Sequence, residues 1–161
     1  MKTCAYCCSE LQEKYCPFCD MVLAEKYVME NGERLSHSIS WYPEEHNIYK
    51  STKDLLKLET IELICLLKHA RAYRGQAYEL RRLRHKSELK VGMNEEVESI
   101  AKASYEEYEM ATRKVWVLEN ILRERIGYFP YRISEKYIQG YLEHIERSEK
   151  KQMVISETVF I

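Results

Sequence analysis

Five cysteines fall within the seventeen residues from Cys4 to Asp20, in the stretch CAYCCSELQEKYCPFCD. Cys4 and Cys7 are spaced C-x2-C, as are Cys16 and Cys19, with eight residues between the two pairs. A C-x2-C unit curls the backbone until two sulfurs converge on one ion. Two such units facing each other supply the four thiolates of a tetrahedral Zn²⁺ site. That donor set is closed, with no position left for water or substrate, so the ion stabilises and does not catalyse. Structural zinc supplies about 10–16 kcal/mol of apparent binding energy in small modules. The sulfur therefore stands in for a hydrophobic core, and Zn²⁺ held by Cys4, Cys7, Cys16 and Cys19 is the expected cofactor.

Cys4, Cys7, Tyr15, Cys16, Pro17 and Cys19 together resemble the small bacterial zinc ribbon, whose knuckles read roughly C-x2-C-G and (Y/F)-C-P-x-C-G. The resemblance covers residues 4–19 and implies a metal-stapled fold rather than an activity. The sequence departs from that pattern after each second cysteine, where the knuckle often takes positive φ and glycine is usual. Cys8 and Asp20 stand there. Asp tolerates that backbone region better than Cys does. Cys8 is a spare thiol, a ligand replacing Cys7, or a redox-sensitive group. The first reading is preferred, because the 4/7 spacing is the one repeated at 16/19. A thioredoxin-like site would need a βαβ context, which this sequence lacks.

The remaining elements must carry this module. Asn31-Gly32 is a strong hairpin signal, so residues 1–35 are read as the ribbon with a β-hairpin or loop attached. Residues 36–50 read as a linker lying on the next domain, held by Trp41, Tyr42, Ile48 and Tyr49. His37 and His46 are read as ordinary loop histidines. From residue 51 the hydrophobic period becomes helical. A short helix is expected over 52–58, a long one from Thr60 to about 89, another over 94–126 and a last one over 134–151, with an apolar tail at 153–161.

Leu63, Leu66, Ala70, Tyr73, Ala77 and Leu80 form one stripe, and Val97, Ala101, Ser104, Tyr108, Ala111, Val115, Leu118 and Leu122 form a facing heptad seam. The short break at KVGMN joins antiparallel neighbours, with Asn94 capping the second helix and Gly127 ending it. The fold class is mainly α: a zinc ribbon, then a long antiparallel helical hairpin with a third C-terminal helix. Its thick end, IELICLLKHA against VWVLENIL, needs covering by the short helix, the Ser134 helix or the tail MVISETVFI. Its other end is thin and calls for a second copy or a partner.

Lys+Arg 25 against Asp+Glu 26 argues against binding nucleic acid by bulk charge. Locally, residues 68–90 hold eight Lys/Arg and two Glu, while residues 94–109 hold six Glu and one Lys. Neutralisation within the hairpin is the preferred account. The alternative places Arg81, Arg82, Arg84 and Lys86 on phosphates, with Tyr73 and Tyr78 as stacking faces. Cys65 and His69 read as a buried thiol beside a partly exposed histidine. Tyr128, Phe129 and Tyr131 concentrate aromatic surface in one loop, which suits a protein partner or, equally, a cover for the apolar thick end.

No catalytic triad, phosphate-cradling glycine loop or HExxH motif is present, so enzyme activity is not expected. Nor is a membrane span or secretory signal, which leaves a cytoplasmic expectation. The functional reading is a regulator or adaptor acting through another protein, in one form a phage-encoded inhibitor of a host protein. Nucleic-acid binding linked to transcription, and redox or zinc sensing through Cys8, are the alternatives.

Overall fold

The computed structural model describes residues 1–37, 45–148 and 152–155. They divide into two compact units: the described residues up to His37 with those from Gly140 on, and those from Glu45 to Gln139. Trp41, Tyr42 and Pro43, the helical expectation for 149–151 and the tail beyond Ile155 lie outside the described residues.

In the first unit four short strands, β1 (Lys2–Cys4), β2 (Tyr15–Cys16), β3 (Met21–Val22) and β4 (Val28–Glu30), form two antiparallel pairs, β1 with β4 and β2 with β3. The register sets Lys2 opposite Glu30 and Cys4 opposite Val28. The buried cluster here is Cys4, Leu11, Cys16 and Leu23, with Cys7, Cys19, Tyr27 and Val28 packed against it. Sulfur makes up half of that cluster, so apolar burial alone offers little to hold the strands.

The Asn31-Gly32 turn forms as the dipeptide foretells, with φ of 50° and 79°. The hairpin around it does not. Val28–Glu30 pairs with β1, and among the described residues no strand follows the turn. The reason lies in what each flank can bury. Glu33 to His37 are exposed, whereas β1 brings Thr3 and Cys4, both fully buried. Thr3 Oγ1 then accepts the Gly32 N–H at 3.0 Å. Met153 closes on the same turn, its N–H donating to the Gly32 carbonyl at 2.9 Å. A Cβ on Gly32 would stand 2.7 Å from the Met153 oxygen, which is why a glycine fits.

The second unit is the helical hairpin. α1 is one turn, Thr52–Leu55, shorter than the 52–58 expected, because the chain tightens into turns through Leu58. Ser51 Oγ caps it by accepting the Asp54 N–H at 3.2 Å. α2 (Thr60–Val91) is capped by Glu59 in a capping box, the Glu62 carboxylate reaching back to the Glu59 N–H at 2.8 Å. α3 (Glu95–Ile126) begins at Asn94, whose Oδ1 accepts the Val97 N–H at 2.9 Å, and ends at left-handed Gly127. α4 (Glu135–Ser148) starts after Ser134, which accepts the Tyr137 N–H at 3.1 Å.

At the thick end Ile61, Leu63, Ile64, Cys65, Leu66 and Leu67 are all buried, against Val115, Leu118, Ile121 and Leu122 of α3. Leu55, Ile48 and Ile138 help to cover this end. The tail does not do so over its described part, since Met153 lies at Gly32 and Val154 and Ile155 are exposed. Trp116, counted with the apolar run, faces outward and is 55% exposed.

The seam also drifts. Leu80 leaves it and is 44% exposed, and the half-buried positions continuing from Ala77 are Arg81, Arg84 and Glu88. A straight helix at 3.6 residues per turn falls out of step with a 3.5 repeat. Here the facing α3 residues, Ala101 and Ser104, are too small to hold a leucine in register.

Candidate metal centre and helical surfaces

Each C-x2-C curls as its local geometry requires. The Cys8 N–H closes a turn on the Cys4 carbonyl at 2.9 Å. Cys8 and Asp20 carry φ of 66° and 52°, the positive values expected at the two glycine-like places. Asp20 is steadied by the Tyr15 hydroxyl, which donates to its carboxylate at 2.5 Å.

The result is a cluster of four sulfurs, Cys4, Cys7, Cys16 and Cys19, all within 4.8 Å of one another. Cys7 Sγ stands 3.4 Å from Cys16 Sγ, and Cys4 Sγ 3.9 Å from Cys19 Sγ. Four sulfurs about 2.3 Å from a central zinc would be spaced by roughly 3.8 Å, so the cluster is already of the right size. Two backbone amides are aimed at it: the Tyr6 N–H at Cys4 Sγ and the Cys19 N–H at Cys16 Sγ, each at 3.4 Å. The Cys19 amide lowers the Cys16 thiol, against the larger effect of its burial.

Hydrogen bonding from Ser9 holds the Cys7 thiol down at about 6. Cys19 is pushed up to about 12, first by its contact with Cys7 and then by burial, and burial raises Cys16. Without a cation, Cys7 gives up its proton more readily than Cys16 or Cys19. A divalent ion at the centre would remove that difference by favouring all four thiolates. The donor set fits a metal, and among the described residues it is the one cluster able to hold an ion.

Cys8 lies outside it. Its thiol donates to the Met153 carbonyl at 3.0 Å. Cys65 is buried, which raises its thiol, and His69 is half-buried with Nδ1 3.5 Å from the Glu45 carboxylate.

The aromatic loop is divided. Phe129 is half-buried beneath the Arg71 guanidinium, whereas Tyr128 and Tyr131 face solvent, Tyr131 at 89% exposure. The basic residues are divided too. Arg81, Arg82 and Arg84 line a groove of about 420 Å³ on the hairpin, with Tyr78, His85 and Tyr105; Lys86 is not part of its wall, and Tyr73 lines a different hollow. Of the basic stretch 68–90, Arg71 forms an ion pair across the hairpin, with Glu119; among the described residues, no ion pair links residues 74–90 to α3. Arg82 pairs with Glu79 on its own helix at 3.0 Å. Arg81 instead lies over the rings of Tyr105 (4.9 Å) and Tyr108 (5.7 Å). Trp116 belongs in the sequence to the apolar run VWVLENIL, and Tyr105 stands beside the heptad seam without being part of it.

No described helix is long and apolar enough to cross a membrane. Comparison with protein-family models, with curated proteins and with solved structures finds no match for this chain.

Proposed function

We propose that this protein is a zinc-stapled, non-enzymatic regulator or adaptor that works by binding another protein. Four converging thiolates are the donor set that zinc favours, and a site filled by them has no room for a substrate. The zinc module resembles a ribbon in its knuckles, and its part is to fix the N-terminal region.

The observation that carries the binding role is the apolar surface left on the distal half of the hairpin. Leu80, Leu83, Val91, Met93 and Ile100 are all exposed. Apolar side chains gathered on one end of a helix pair mark an interaction site rather than a solvated surface. The test is capture from cytosol with wild-type bait and with a Leu80→Glu/Leu83→Glu bait of equal helicity. One protein recovered stoichiometrically by the first and lost by the second supports the role. Equal recovery by both baits, or none by either, rejects it.

A further inference from the structure

We infer that the groove between the distal halves of α2 and α3 binds single-stranded nucleic acid, with Arg81, Arg82 and Arg84 toward phosphates and Tyr78, Tyr105 and Trp116 toward bases. This goes beyond the adaptor reading, on a groove that adjoins the apolar surface of that reading.

Charge is the first support. Three arginines line the groove against one acidic residue, Glu88, which sits 3.6 Å from His85 Nδ1. Arg82 is ion-paired with Glu79 of its own helix, and among the described residues no α3 glutamate pairs with Arg81, Arg82 or Arg84. Glu109 pairs with Arg113 at 2.8 Å, and Glu107 accepts from the Tyr73 hydroxyl at 2.7 Å.

The rings are the second support. Tyr78, Tyr105 and Trp116 are each about half exposed, Tyr78 resting on Tyr108 and Tyr105 beneath Arg81. A smaller hollow of about 240 Å³ continues along α3, shares Tyr105 with the groove and reaches Trp116. Those two residues are eleven apart, three helical turns, so they share a side of α3 at about 16 Å separation. Arginine beside stackable rings along a furrow is the chemistry of single-strand binding. A duplex hides its base faces and would leave the rings unused. An acidic peptide would use the arginines alone.

The test uses the full chain loaded with zinc and a fluorescein-labelled oligothymidylate, read by fluorescence anisotropy across a salt series. Neutralising three phosphates on a single strand gives a slope of about −2 in log affinity against log salt, at about −0.7 for each. Arg82→Ala flattens that slope by one such increment. Tyr105→Ala and Trp116→Ala each weaken binding by about fivefold or more and leave the slope unchanged. Circular dichroism establishes that the variants keep their helices. Absence of binding at low salt overturns the inference, as does affinity unchanged in both aromatic variants. Displacement by polyglutamate as effective as by unlabelled oligothymidylate also overturns it, since charge alone would then account for binding.

Discussion

Arg71 on α2 pairs with Glu119 on α3 at 2.9 Å, and its other amino group donates to the carbonyls of Pro130 (2.7 Å) and Tyr131 (3.1 Å). One guanidinium thus ties both long helices to the loop that follows them. Both partners are about four-fifths covered. Removing one member of such a pair strands the other charge. Arg71→Ala should cost about 3 kcal/mol of stability. Glu119→Gln, which keeps a neutral acceptor, should cost less, about 1–2 kcal/mol. Urea unfolding followed at the helical band measures both, and an Arg71→Ala midpoint equal to wild type would refute the assigned role.

Removing the metal should unfold the strands of the first unit and spare α2 and α3. With zinc chelated, or with Cys16→Ser, amide protection is expected to vanish over residues 2–30 and to persist in α2 and α3. The strands are short and their buried cluster is half sulfur, so little else holds them. Hydrogen exchange read by mass spectrometry decides. Protection retained in residues 2–30 without metal would remove the structural role of zinc.

The thiols should differ sharply in reactivity. In zinc-loaded protein the four clustered sulfurs are ligands, and Cys65 is buried with its thiol raised by that burial. A maleimide should therefore add once, at Cys8, and slowly while that thiol donates to Met153. Peptide mapping after brief labelling locates the adduct. Modification at Cys7 in place of Cys8 would mean that Cys8 is the ligand.

Tyr73 should make the hairpin sensitive to alkali. Burial raises its phenol first, with the Tyr49 hydrogen bond next and the Glu107 carboxylate after it. A folded-state value above the unfolded one means that the neutral phenol stabilises the fold below about pH 10, and that this contribution fades as pH rises beyond it. Tyr73→Phe cannot ionise, so its stability should fall less than that of wild type over the same alkaline range. Parallel melts at rising pH test the sign, and equal slopes would contradict it.

The parts of this molecule that the sequence made legible are those set by local chemistry. The cysteine spacing, the Asn94 cap, the Gly127 stop and the positive φ at Cys8 and Asp20 each depend on a few neighbouring residues. The long helices and their antiparallel pairing follow from periodicity and a short connection. The parts that were not legible depend on packing between distant segments. Val28–Glu30 looked toward the residues after its turn, yet β1 had more to bury. Leu80 continued a written heptad, yet Ala101 and Ser104 could not keep it there. Trp116 looked like one more core residue because a one-dimensional pattern does not say which apolar positions find neighbours.

A cluster whose buried members are as much ligand as hydrocarbon ties its folding to supply. By mass action, each tenfold fall in free zinc that still leaves it above the dissociation constant would take about 1.4 kcal/mol from the N-terminal unit. The hydrocarbon-filled hairpin would feel nothing. In a metal-starved cell the chain would keep its rod while its first thirty residues became substrate for proteases, so its working lifetime would follow the trace-metal economy.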